Sequence, residues 1–171
     1  MKRRPGRIAS LALLLAAIGV LALAARAWGF GLARVSGASM SDTLRDGDVV
    51  LITRFDYLGG RAPGFGDIVE CAFPGRGGVY IKRVIGLPGD AIAFSGGVLE
   101  RNGSATPEPY VSSSTADYAA GLGEDEYLLL GDNRAQSYDS RMPDMGMVGS
   151  EAFLGRVRLI IWPLKRLGLV E

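Results

Sequence analysis

The sequence predicts a mainly β domain, a folded sheet or barrel, preceded by one N-terminal transmembrane helix. Three observations predict this class: a long uncharged apolar run near the N-terminus, short β-branched runs separated by turn signals, and 25 glycines among 171 residues. A chain of this length corresponds to one domain or two small ones. With 48% hydrophobic and 22% charged residues, it is not expected to be disordered along its length.

The predicted helix lies in an uncharged run, IASLALLLAAIGVLALAA, at residues 8–25. As a helix these 18 residues are about 27 Å long, close to the thickness of a bilayer core. Four basic residues precede the run within the first seven positions, which keeps the N-terminus in the cytoplasm. We therefore expect a basic cytoplasmic N-terminus (1–7), an anchor (8–27) and an extracytoplasmic domain (31–171) in the cell membrane.

A cleaved secretory signal is the alternative interpretation of the same segment. Two small-x-small sites, at 22–24 and 25–27, resemble cleavage sites. The apolar run is longer than the 7–15 residues of a signal core, which favours the anchor. Either interpretation places the body of the protein outside the cytoplasm.

The strands are predicted after residue 31, where apolar runs alternate with turns. Runs at 68–73 and 79–86 follow glycine-containing segments, and Pro88-Gly89 ends the second run in a turn. Residues 104–123 are polar and rich in small residues, so they are expected to form a long loop or a small accessory lobe. The further predicted strands are 49–55, 91–94, 98–101, 127–130 and 153–162.

Composition excludes several classes of chemistry. The chain has no histidine and a single cysteine, Cys71, which excludes a serine–histidine triad, an intrachain disulfide and a cysteine-cluster metal site. No metal or organic cofactor is predicted. From residue 31 onward there are 14 basic and 18 acidic residues, a net charge of −4, so nucleic acid is not an expected partner.

Three segments carry residues that could perform chemistry: Ser36–Met40, Tyr80–Gly86 and the run from Gly131 to Arg141. Lys82 stands inside an apolar strand, where lost hydration would lower its pKa and allow it to act as a base. At its ordinary pKa only about 1 lysine in 2,500 is neutral at pH 7. Spacing alone favours a lysine that packs its stem and keeps its ammonium in water. Ser39 and the Gly-Asp-Asn turn are, taken singly, ordinary turn residues.

Taken together, these segments resemble the bacterial type I signal peptidases, also called leader peptidases, which use a serine–lysine dyad. The resemblance covers most of residues 8–158. It includes the anchor, Ser-Gly-x-Ser-Met-x-x-Thr-Leu at 36–44 and Gly-Asp-Ile-Val at 66–69. It continues through Tyr-Ile-Lys-Arg-Val-Ile-Gly-Leu-Pro-Gly-Asp at 80–90 and Gly-Asp-Asn-Arg at 131–134, with Ser137, Asp139, Ser140 and Arg141.

The resemblance implies a role for each matching residue. Ser39 is implied as the nucleophile and Lys82 as its general base. Ser137 would orient that lysine. Asp139, Arg141, Asp132 and Asn133 are implied as residues that support the site. The implied lining of shallow pockets for small substrate side chains consists of Val35, Met40, Leu44, Tyr80 and Ile81.

The implied reaction is removal of signal peptides from exported preproteins after small-x-small sites, through an acyl-enzyme at the bilayer.

Asp42 departs from the pattern, because the family usually has proline there. We expect this change to loosen the loop that carries Ser39. An alkaline activity profile is expected, since the base is neutral lysine.

Three other functions share part of this pattern. One is a specialised processing peptidase for a single exported substrate such as a pilin. Another is a catalytically inactive, membrane-anchored scaffold that binds exported chains. Self-cleaving repressors use the same dyad, but they carry a DNA-binding domain where this chain has an apolar run. The oligomeric state is not predicted.

Overall fold

The computed structural model describes residues 6–27, 29–57, 59 and 61–170, and within the N-terminal helix the side chains of residues 9–23. Most of the predicted basic N-terminus, residues 1–5, lies outside this range. Helix α1 runs over Gly6–Ala27 and precedes the first strand. Within the described part of the chain, no helix combines the length and the apolar character needed to cross a membrane.

The described residues contain eleven strands, which form two antiparallel sheets. The first sheet has seven strands in the order β1-β2-β10-β3-β4-β9, with β11 paired to β10. The second has four, in the order β7-β6-β5-β8. The strands of the first sheet are β1 (Phe30–Arg34), β2 (Val49–Thr53), β3 (Ile68–Cys71), β4 (Tyr80–Gly86), β9 (Leu128–Leu130), β10 (Phe153–Trp162) and β11 (Gly168–Leu169). Those of the second are β5 (Ala91–Ser95), β6 (Val98–Arg101), β7 (Ser104–Thr106) and β8 (Tyr118–Gly121).

The predicted mainly β class is confirmed, and each predicted apolar run contains a strand. The segment 104–123 contributes β7 and β8, so it is part of the second sheet and not only a loop. Strand β1 was not predicted, since Phe-Gly-Leu-Ala-Arg lacks β-branched residues. It forms because every one of its residues pairs with β2, from Phe30 opposite Thr53 to Arg34 opposite Val49.

Strand β3 and most of β4 are buried on both faces. The neighbours Ile68 and Val69 point to opposite sides of β3 and belong to different hydrophobic clusters. Strand β4 pairs with β3 on one side and β9 on the other, in the interior of the sheet. From Lys82 onward β4 is also buried on both faces, and Lys82 and Arg83 are each only 2% exposed.

Candidate active site

Ser39 lies in the loop that joins β1 to β2, and backbone hydrogen bonds close this loop. The N–H of Val35 donates to the carbonyl of Asp48 at 2.8 Å, at the base of the loop. Further along, the N–H of Leu44 donates to the carbonyl of Met40. Met40 and Leu44 are buried in the core, which fixes the ends of the turn that holds the half-buried Ser39.

A second loop, residues 131–134 after β9, clamps the Ser39 loop from outside. The Asn133 N–H donates to the Ser39 carbonyl at 3.1 Å, and the Asn133 side-chain amide donates to the Ala38 carbonyl at 3.1 Å. Gly131 lies directly against the Ser39 carbonyl and the Ser137 side chain, so that a Cβ at this position would collide with both. The backbone of Ser39 is thus held in place by contacts from a distant part of the chain.

A buried ion pair beneath the clamp connects it to β4. Arg83 donates from Nε and Nη2 to the two carboxylate oxygens of Asp132, at 2.9 and 2.8 Å. Asp132 also accepts a hydrogen bond from the Thr43 hydroxyl in the Ser39 loop. The Asp132 carboxylate therefore joins three segments: β4, the loop after β9 and the Ser39 loop.

Lys82 is buried, so the sequence-based alternative of a packed stem with its ammonium in water is wrong. Its Nζ donates to the Ser137 hydroxyl oxygen at 3.2 Å. Desolvation lowers the pKa of Lys82 below its usual value, and the nearby charge of Asp139 offsets part of this shift. The physical reason is burial: β4 is covered on both faces from Lys82 onward, so little of the side chain contacts water.

The hydroxyl of Ser137 is oriented by its other partners. Its oxygen also accepts a hydrogen bond from the Gly131 N–H at 3.1 Å, and its hydroxyl donates to Asp139. With its proton directed to Asp139, Ser137 presents its lone pairs to Lys82.

Asp139 forms the next link of this chain of polar contacts. Burial alone would raise the pKa of Asp139, but hydrogen bonds from Arg141, Ser137 and Gly131 outweigh it and hold that pKa below its usual value. Arg141 donates from Nε and Nη2 to the two Asp139 oxygens at 2.8 and 2.9 Å. Asp139 is therefore an anion within the buried network.

Ser39 and Lys82 line one cavity of about 260 Å³. Among the predicted substrate-contacting residues, Val35, Met40, Tyr80 and Ile81 also line it. Leu44 lies in the hydrophobic cluster beneath, fully buried, and its contact with substrate stays a prediction. Glu70 lines the cavity as well, and the sequence analysis did not single it out.

Asp42, which we expected to loosen the Ser39 loop, makes a tertiary contact in the structure. Its carboxylate accepts hydrogen bonds from the backbone N–H and the hydroxyl of Ser112, both at 2.8 Å. These bonds tie the Ser39 loop to the segment between β7 and β8. The covalent restraint of a proline is replaced here by a tertiary contact.

Two further features were missed in the sequence. Arg83 follows Lys82 directly, but only the topology reveals that both cations are buried and that Arg83 is paired with Asp132. Nothing in the sequence indicated a role for Thr43, since hydroxyls are common in loops.

Within the described residues, no cluster of three or more histidine, cysteine or acidic side chains could hold a metal ion.

Cys71 lies near Lys82, and its thiol is a potential nucleophile. It is a free thiol on β3, fully buried. Burial raises the pKa of Cys71 to about 12. The thiol therefore stays protonated near neutral pH, the form in which a cysteine is a poor nucleophile.

Comparison with known proteins identifies relatives along nearly the whole chain. The family described as signal peptidase, peptidase S26, matches residues 8–162. A probable signal peptidase I-2 from Synechocystis is 37% identical over 145 residues, an alignment that covers 80% of this chain and 65% of that relative. Signal peptidase I from Bacillus licheniformis is 32% identical over 161 residues, covering 86% of this chain and 85% of the relative.

One solved structure is similar in fold. The crystal structure of a signal peptidase I from Enterococcus faecalis superimposes with a TM-score of 0.52 at 29% sequence identity. The superposition covers 56% of this chain and 97% of the other. The likeness extends to the fold as well as to the sequence.

Proposed function

The chain belongs to the signal peptidase family, peptidase S26, and from this premise we propose that it is a membrane-bound serine endopeptidase that removes signal peptides from exported preproteins. Ser39 is the proposed nucleophile and Lys82 the proposed general base. The observation that carries this assignment is a buried lysine that lines the same cavity as Ser39 and has a lowered pKa. Neutral lysine is the form that can accept a proton from an alcohol.

The proposed reaction proceeds through an acyl-enzyme. Neutral Lys82 takes the proton of the Ser39 hydroxyl as its oxygen attacks the carbonyl carbon of the scissile peptide bond. The backbone N–H of Ser39 donates to the developing oxyanion. Protonated Lys82 then gives its proton to the leaving amine, and neutral again it activates the water that hydrolyses the ester.

The surrounding contacts support these roles through positioning. Ser137 fixes the lysine amine by accepting one of its hydrogens, which leaves the nitrogen lone pair for another partner. Asn133 fixes the nucleophile's backbone through the Ser39 carbonyl. The small volume of the cavity suits short substrate side chains, in agreement with small-x-small cleavage sites.

Attachment to the bilayer is proposed from the sequence of α1 and from an apolar face next to it. Residues 8–25 carry no charge, and the described leucines of the helix are exposed. Leu32, Leu51, Leu159 and Leu169 are successive partners across β1, β2, β10 and β11, so they form one row on one face of the sheet. Leu32 and Leu169 are 66% and 76% exposed, as suits a surface that rests on lipid.

The experiment that tests the dyad measures cleavage of a labelled peptide with an Ala-x-Ala site. We expect Ser39→Ala and Lys82→Met each to lower kcat/KM by roughly 10³- to 10⁶-fold, as removal of a nucleophile or its base does in serine proteases. Both variants should bind the peptide, because neither removes the walls of the cavity.

Two exposed residues provide the matched controls. Ser95→Ala and Lys165→Met make the same chemical changes at solvent-exposed positions and should leave kcat/KM unchanged. Wild-type protein that binds the peptide without turnover would contradict the proposal and would favour the scaffold. Full activity in either dyad variant would exclude that residue from its role.

A further inference from the structure

The cavity beside Ser39 contains an acidic side chain that the proposed reaction does not use. Glu70 on β3 is only 9% exposed, yet it lines the same cavity as Ser39 and Lys82. Its Oε2 atom is buried and has no hydrogen-bond donor among the residues that the structure describes. Buried carboxylate oxygens ordinarily have donors, so this atom needs an explanation.

Arg54 balances the charge of Glu70 without satisfying its hydrogen-bonding capacity. The Arg54 Nη2 atom lies 3.7 Å from Glu70 Oε2, whereas charged hydrogen bonds measure about 2.7–2.9 Å. The Arg54 side chain is also 52% exposed, so water screens much of this attraction. The Glu70 carboxylate, in a side chain that lines the cavity, therefore keeps acceptor capacity that a donor from a bound molecule would satisfy.

The register of the sheet places the Glu70 side chain beside that of Ile81. Glu70 lies opposite Ile81, and Ile81 is the residue before Lys82 on β4. In an extended peptide, side chains two residues apart point the same way and lie roughly 7 Å apart. Ser39, Ile81 and Glu70 line one cavity, so a substrate with the residue before its scissile bond at Ser39 can place the third residue before the cut beside Ile81 and Glu70.

We propose that Glu70 is a specificity-determining residue that selects substrates with a hydroxyl side chain, threonine or serine, as the third residue before the cut. This inference rests on the proposed function and deepens it. The cavity of about 260 Å³ suits a short donor such as a hydroxyl group. An apolar side chain of the same size would leave the Glu70 oxygen unpaired and desolvated, which disfavours it.

The test compares two peptides that differ only in threonine or valine at the third residue before the cut. These side chains have nearly the same shape and differ by a hydroxyl in place of a methyl group. For the wild-type protein we expect kcat/KM for the threonine peptide to exceed that for the valine peptide about tenfold, the effect of one hydrogen bond to a charged group. In Glu70→Val the ratio should fall to one or below.

Glu70→Gln and Glu100→Gln complete the set of variants. Glu70→Gln keeps the shape but removes the charge, so the ratio should fall to a few-fold. Glu100 is an exposed glutamate on β6, in the second sheet, and Glu100→Gln should keep the wild-type ratio. Because both peptides are cleaved by the same sample, the ratio does not depend on the fraction of folded protein.

The outcomes separate this inference from the proposed function. If the wild-type protein cleaves both peptides with equal efficiency, or if Glu70→Val retains the preference for threonine, the inference is overturned while the peptidase assignment stands. If the wild-type protein cleaves neither peptide, the proposed function is overturned, and this inference with it.

Discussion

The protonation of Lys82 depends on two side chains of opposite charge. Desolvation lowers its pKa, the Asp139 carboxylate raises it and the Arg141 guanidinium lowers it. Asp139 and Arg141 form an ion pair with each other, so each also moderates the field of its partner. Desolvation lowers the pH at which the proposed base becomes neutral, and the charges of the pair adjust it.

Replacing either member of the pair should move the pH profile, in opposite directions. For the wild-type protein kcat/KM should rise with pH, with its midpoint below the usual pKa of lysine, because neutral Lys82 is the active form. Asp139→Asn removes a negative charge that favours the ammonium, so the midpoint should move to lower pH. Arg141→Gln removes a positive charge, so it should move to higher pH. The measurement is kcat/KM against pH for all three proteins.

The opposite signs make this prediction specific. A general loss of structure would lower the rate of both variants without shifting their midpoints apart. Midpoints that coincide, or that move in the same direction, would show that Lys82 is not the group whose titration controls the rate.

At the scale of elements, the loop after β9 organises the site. Residues 131–134 contact the Ser39 loop, and Asp132 among them forms the ion pair with Arg83. The chain then continues to Ser137. The loop can approach this closely because its first residue, Gly131, has no side chain. The glycine is needed here for space, since a side chain would occupy the position of the Ser39 carbonyl.

Gly131→Ala should therefore disable the site. The added methyl group must displace the Ser39 carbonyl or Ser137, so we expect kcat/KM to fall at least roughly 10²-fold and the free energy of unfolding to fall by about 1–3 kcal/mol. Gly121→Ala adds the same group on β8, where nothing lies within 4 Å, and should be neutral. Denaturant unfolding and peptide cleavage measure the two effects. Normal activity in Gly131→Ala would contradict the described packing.

At the scale of the whole molecule, the polar site and the apolar surface belong to the same sheet. The cavity lies beside the Ser39 loop, which leaves β1, and β1 also carries the exposed Leu32. Trp162, at the end of β10, is 56% exposed, and Leu164 and Leu167 just after it are also exposed. The proposed site and the exposed apolar side chains therefore lie on parts of one sheet.

The fluorescence of Trp162 should report contact with lipid. The chain has two tryptophans, so Trp28→Phe leaves Trp162 as the single reporter. With vesicles of phosphatidylethanolamine and phosphatidylglycerol we expect a blue shift of its emission and quenching by brominated acyl chains. The control replaces both tryptophans with phenylalanine and adds Val98→Trp on the second sheet, where no quenching is expected. Equal quenching at both positions would contradict an oriented surface.

The sequence alone determined the class of the fold and the order of its main parts. The apolar runs predicted the strands because β-branched residues and glycine turns act locally. The motifs around Ser39, Lys82 and Ser137 indicated the family. The missed strand β1 and the strands within 104–123 have weak local preference, and they form because neighbouring strands supply their hydrogen bonds.

Only the tertiary structure decided the chemical state of the site. Whether Lys82 reaches water depends on the segments that pack over both faces of β4, and alternation along one strand cannot reveal this. The same holds for the Arg83–Asp132 pair, the Asp42–Ser112 contact and the unpaired oxygen of Glu70. Each depends on groups distant in the chain that folding brings together, since desolvation and hydrogen bonding are properties of surroundings and not of residue types.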